Sequence, residues 1–351
     1  MHHLLGLGGS SPEMSGPPGG KVSRKDVEDL VSTYVKGWMS SNIVVPRGAA
    51  GALNPGRNVI HAVGPLERQS LVFTRFDDAT GRWVPRYRIE EMDRQLVHEL
   101  PALLLPQFRV QPNTYDHKVL WSWTIELVVM PDTRGWFQDQ ALQESLELLF
   151  RLMLAPRPPS DSTHIRTIIS QKELIAFVLA FPFLEGLLKY RSSAFVYSDG
   201  RVKQPFQLNG GPRGGATYDP AGRGTINNLE HLLYLFEEQV ATTSMKQLLT
   251  EYRSATEALT GNPDCYGMLY QWRNDTLHGA APPGIGSGIL LNLICLLILD
   301  IVPDASYQTQ VGQSIAEDRA AVTRMAKMSS RGAPIAIDRF PLDFYPPDPP
   351  P

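Results

Sequence analysis

Leu269-Tyr-Gln-Trp-Arg-Asn-Asp-Thr-Leu-His-Gly279, and the apolar run over residues 285–302 that comes soon after it, decide how this chain is read. The first segment is rich in aromatic residues and closes on glycine, with Pro282 and Pro283 just beyond. That punctuation predicts a helix ending at about Leu277. The second segment is about long enough to span a bilayer. It nevertheless contains Asn292 and Asp300 and has no basic flank. A helix apolar on every side is also what the centre of a helical bundle requires. We therefore expect a soluble bundle, with a membrane anchor at 285–302 as the lesser alternative.

Working outward, the apolar spacing predicts helices at about 163–190, 227–238, 244–259, 265–277 and 307–328. The first carries Leu174, Phe177, Val178, Phe181, Leu184, Leu187 and Leu188, and Pro182 is expected to kink or divide it. Residues 192–225 are polar and glycine-rich and read as a disordered loop inserted between helices. Their Gly-Gly-Pro-Arg-Gly-Gly lacks the Gly-Lys-Ser/Thr ending of a phosphate-gripping loop. Upstream, Ala155-Pro-Arg-Pro-Pro-Ser-Asp161 marks a domain boundary. Residues 23–155 then read as an α+β domain without a chemical motif. It has an amphipathic helix from Val27 to Met39 capped by Ser23, a hairpin of 70–76 and 83–89 around Asp-Asp-Ala-Thr-Gly, and a helix over 137–154. The β-branched and aromatic stretch 118–130 is expected to be its strongest strand. Residues 1–22 read as disordered without a secretory signal, and residues 303–351 as a helix and a proline-rich tail.

The composition narrows the function classes. There are 33 basic and 36 acidic residues, a net charge of −3, which argues against a broad nucleic-acid-coating surface while allowing a local basic groove. The two cysteines, Cys265 and Cys295, are too few for a disulfide framework and lack metal-ligand spacing, so a reducing cytoplasm is expected. The histidines are scattered with no His-Glu-x-x-His pattern, and neither a metal nor another cofactor is expected.

Arg273 and His278, with four residues between them, Asn directly after the arginine and Gly directly after the histidine, resemble the Arg-x4-6-His signature of the HEPN superfamily. The resemblance covers about residues 162–302, with the glycine-rich insertion at 192–225. It implies an all-α HEPN-like bundle following the α+β domain, and a metal-independent endoribonuclease acting as a homodimer on RNA and not on DNA. Arg273, Asn274 and His278 would be catalytic, with Glu185 and Asp275 as supporting residues. Arg201, Lys203, Arg213 and Arg223 in the insertion would touch RNA. A stress-response, toxin or phage-defence setting is implied by the family alone, and the sequence names no regulator or antitoxin partner. The alternative is a non-catalytic nucleotide- or protein-binding module on the same fold.

The geometry of the motif can be worked independently of the family. Residues five apart on a continuous helix lie about 140° around its axis, so Arg273 and His278 would not share a face, whereas Asn274 and His278 would. The pair converges only if the helix breaks between them or a second subunit contributes. A two-fold interface is therefore expected to use this helix and the apolar Phe181, Phe183 and Leu187.

Overall fold

The computed structural model describes residues 21–40, 71–77, 82–110, 114–129, 137–154, 172–211, 215–222, 224–278 and 285–329. Most of them are helical. In chain order the helices are α1 (Arg24–Ser40), α2 (Arg94–Leu103), α3 (Tyr115–Val129), α4 (Gln140–Leu154), α5 (Lys172–Arg191), α6 (Leu229–Leu235), α7 (Thr243–Thr260), α8 (Cys265–Leu277), α9 (Gly286–Ile301) and α10 (Asp304–Ser329). Two small antiparallel hairpins accompany them, β1 (Thr74–Asp77) with β2 (Arg82–Pro85), and β3 (Phe206–Leu208) with β4 (Ala216–Tyr218).

Helix α9 forms the centre. Every residue from Gly286 to Leu299 is buried, and α2, α3, α5 and α7 pack around it. Hydrophobic burial on all faces is what holds such a helix, since it has no polar side to offer water. Gly288 lets Phe108 lie against its backbone, where a Cβ would stand 2.3 Å from the ring. Two polar residues of α9, Asn292 and Asp300, are satisfied by named partners. Asn292 accepts from the Trp121 indole at 2.9 Å and donates to the Pro101 carbonyl at 2.9 Å. Near the C-terminal end, Arg191 reaches the Leu297 carbonyl at 2.8 Å and Asp300 at 2.5 Å. That places a cation where the helix dipole and the last carbonyls favour one. Among the described residues no single helix is long and apolar enough to cross a membrane; α9 and α10 pass that test only as a pair bent by 110°.

Local signals account for several boundaries. Ser23 caps α1 as expected: the Asp26 amide donates to its hydroxyl at 3.3 Å, and the Asp26 carboxylate accepts from the Ser23 amide at 2.9 Å. Thr242 caps α7 through the Met245 amide. Helix α5 runs unbroken through Pro182, so the expected division does not occur; the proline is on the exposed side of the helix.

Two expectations are corrected. The stretch expected as a strand, 118–130, lies in helix α3 through Val129, with Leu120, Trp121, Trp123, Ile125, Leu127 and Val128 all buried. Burial on nearly all sides erases the periodicity that separates helix from strand, and packing overrides β-propensity. The segment after α5 is also not a disordered loop in its described part. It holds the β3–β4 hairpin and two isolated bridges, and it buries Val196, Val202, Phe206, Leu208 and Tyr218. The β1–β2 pair confirms the expected hairpin in shorter form, with Phe76 opposite Trp83. The supposed boundary at 155–161 lies outside the described residues; α4 and α5 on its two sides pack directly together in one shared core.

Candidate functional site

Helix α8 carries the Arg273–His278 motif. It begins at Asp264, whose side chain accepts from the Gly267 amide at 2.9 Å. Cys265, Tyr266, Met268 and Leu269 anchor its first half in the core. Half-buried Trp272 packs against Phe177 of α5, with ring centroids 5.9 Å apart. Tyr266 and Trp272 of the motif helix are thus packing groups, in line with their spacing.

Arg273 faces α5. Its Nε donates to Glu185 Oε1 at 3.0 Å and its Nη1 to Asn274 Oδ1 at 3.2 Å. The ion pair is partly shielded, with side-chain exposures of 29% and 17% for Arg273 and Glu185. Gly186, next to Glu185, lets Leu142 approach α5 closely; a Cβ there would stand 2.6 Å from that side chain. Asp275 accepts from Gln271 Nε2 at 2.5 Å, one turn earlier on the same side of the helix.

The helix ends where the glycine and prolines predicted. Leu277 is its last residue, and His278 is the C-cap, with φ −95° and ψ 9°. The His278 amide donates to the carbonyls of Asn274 and Asp275, both at 3.1 Å, and the residue is exposed. Since α8 is continuous across the motif, Arg273 points to α5 while His278 continues the stripe of Asn274 and Gln271. One chain therefore brings Arg273, Asn274 and Glu185 together and leaves the histidine on another side. A cation at this C-cap would also be stabilised by the helix dipole, with or without catalysis.

The remaining sequence candidates are less concentrated. Arg201 Nε donates to Asp199 at 2.7 Å, and Lys203 Nζ donates to the Ser193 carbonyl at 2.6 Å; both cations lie over the Tyr197 ring. Arg213 and Arg223 lie outside the described residues. Phe181, Phe183 and Leu187 are buried in the chain's own core, so they offer no interface. Leu174, Val178 and Leu179 of α5 and Leu277 of α8 are the exposed apolar residues there instead. Among the described residues no cluster of His, Cys, Asp and Glu could hold a metal ion. The sequence reading also missed a polar cleft beside the first half of α8, with Glu230 and Asp264 in its wall.

Compared with known proteins, the chain matches no family model, no curated protein and no solved structure.

Proposed function

We propose that this protein is a metal-independent endoribonuclease of the HEPN type that works as a two-fold dimer. The observation that carries the reading is an arginine held by Glu185 on the same helix that an exposed histidine ends. Glu185 occupies Nε and Asn274 occupies Nη1, so Nη2 is the edge of the guanidinium left for a phosphate. His278 takes the proton from a ribose 2′-hydroxyl, the 2′-oxygen attacks phosphorus, and the bond to the 5′-oxygen breaks. The leaving oxygen takes a proton from the second histidine of the dimer. Arg273 stabilises the extra negative charge as it develops, and the products are a 2′,3′-cyclic phosphate and a 5′-hydroxyl. The dimer follows from the angle between Arg273 and His278, because only a second copy brings both residue types to one phosphate. Leu174, Val178 and Leu277 supply exposed apolar surface for that contact.

The Glu185 ion pair fits equally a brace between α5 and α8, which is the alternative of a non-catalytic nucleotide- or protein-binding module. His278→Ala separates the two. The residue is exposed, so the change is expected to move stability by no more than about 0.5 kcal/mol, while RNA cleavage in excess EDTA is lost. Wild-type protein that leaves RNA intact, or a variant that cleaves at the wild-type rate, removes the nuclease reading.

A further inference from the structure

A cleft of about 760 Å³ opens beside α8, with Tyr218, Asn228, Glu230, Asp264, Tyr270 and Gln271 in its wall. This volume is in the range of sites for small organic ligands. The chemistry of the wall is selective. Among the described residues no lysine or arginine lines the cleft, so a phosphate would meet carboxylates there without a compensating cation. Among the described residues the wall includes the acidic residues Glu230 and exposed Asp264, the side-chain amides of Asn228 and exposed Gln271, and Tyr270. An ionised carboxylate only accepts hydrogen bonds. It suits a ligand edge with adjacent N–H donors, and the half-buried Tyr270 ring suits a flat one.

The wall is also built to hold its shape. Asn228 caps α6 by accepting from the Glu230 amide at 2.8 Å, which fixes the backbone from which the Glu230 side chain springs. The Tyr218 hydroxyl meets His231 Nδ1 at 2.5 Å, tying the β3–β4 hairpin to α6. Gly267 is required by the Asp264 carboxylate, since a Cβ at that position would stand 2.0 Å from its Oδ2.

The cleft and the motif share one side of α8. Asp264, Gly267, Gln271, Asn274, Asp275 and His278 follow the i, i+3, i+4, i+7 spacing that repeats along a single helical face. Gln271 lines the cleft and donates to Asp275, one turn before His278. Seven residues at 1.5 Å each separate Gln271 from His278 by about 10 Å along the axis. A base seated in the cleft would therefore lie within a nucleotide's reach of the histidine.

We propose that this cleft is a nucleobase pocket selective for guanine, reading a base next to the cleaved linkage; the placement of that base rests on the nuclease reading, and the binding of guanine does not. Guanine alone among the four RNA bases offers a ring N–H and an adjacent amino group, the pair of donors that one carboxylate fork accepts. Its carbonyl and ring nitrogen are left for side-chain amides such as that of Gln271.

The test is calorimetric titration of the full chain with guanosine, adenosine, cytidine and uridine, and with spermidine as a cationic control. Guanosine is expected to bind at least about tenfold more tightly than the others, the worth of a hydrogen bond to a charged group. Asp264→Asn keeps a good helix cap while removing the charge, and exposed Gln271→Ala leaves the core untouched; each is expected to weaken guanosine by about tenfold. His278→Ala is expected to bind guanosine as the wild type does. Equal binding of all nucleosides, preference for spermidine, no binding, or full guanosine affinity in both pocket variants overturns the proposal. RNA cleavage without guanosine binding sinks the pocket and spares the nuclease; guanosine binding by a protein that cleaves no RNA does the reverse.

Discussion

Replacing Asn292 by leucine tests the centre of the fold. The side chain is fully buried and serves two groups from the first half of the chain, the Trp121 indole and the Pro101 carbonyl, each at 2.9 Å. Leucine has the branching and heavy-atom count of asparagine, so no cavity opens, but the Trp121 indole and the Pro101 carbonyl each lose their hydrogen bond to this residue. Each orphaned buried polar group costs about 1–3 kcal/mol. Burying an apolar side chain in place of an amide returns about 1–2 kcal/mol. The net expectation is a loss of about 3 kcal/mol, read in urea as a lower midpoint at unchanged slope. Adding Trp121→Phe removes one orphan, so the double variant should lose less than the sum of the two single variants. A loss under about 0.5 kcal/mol for Asn292→Leu, or simple additivity in the pair, would refute the account of Asn292 as the partner both buried groups need.

Three further outcomes are expected. His117 is fully buried against Phe108, and burial pushes its imidazole down to about 3. The unfolded chain then binds a proton that the folded chain refuses, so stability should be complete above the ordinary histidine value of about 6.5 and fall as pH drops from there towards about 3. Neighbouring Asp116, raised by burial, works in the opposite sense, and His117→Gln should flatten the histidine slope in acid-titrated denaturation curves. Glu185→Gln should cost only about 1 kcal/mol, since the pair is partly exposed, yet lower RNA cleavage by at least about tenfold by freeing Arg273; unchanged cleavage would make Glu185 a bystander. Cys265 and Cys295 are buried and their thiols are pushed up to about 12, so an aromatic disulfide reagent should label neither until the protein unfolds.

How much of this was legible in the sequence depended on whether local chemistry agreed with burial. Helix α1 was readable because Ser23, Asp26 and the spaced apolar residues all point one way. Helix α8 ended at Leu277 because glycine and two prolines follow it. Helix α3 was misread because Trp121, Trp123, Ile125 and Val128 look the same whether a strand or a helix is buried on all sides. For the candidate site, Arg273, Asn274 and His278 announced themselves by spacing, and Glu185 was a fitting acidic residue on the preceding long helix. The cleft was silent. Its wall comes from the β3–β4 hairpin, the start of α6 and the start of α8, and nothing in the linear order links Tyr218, Glu230 and Asp264.

The central position of α9 bears on how the protein is made. Asn292 meets Pro101 across 191 residues of sequence and Trp121 across 171. Helices α2 and α3 leave the ribosome long before the partner that covers them exists, and contacts so distant in sequence form slowly. Their apolar faces must wait, and waiting apolar surface aggregates. Folding of this chain should therefore be largely post-translational, with chaperone capture of the half-made product up to the moment α9 inserts.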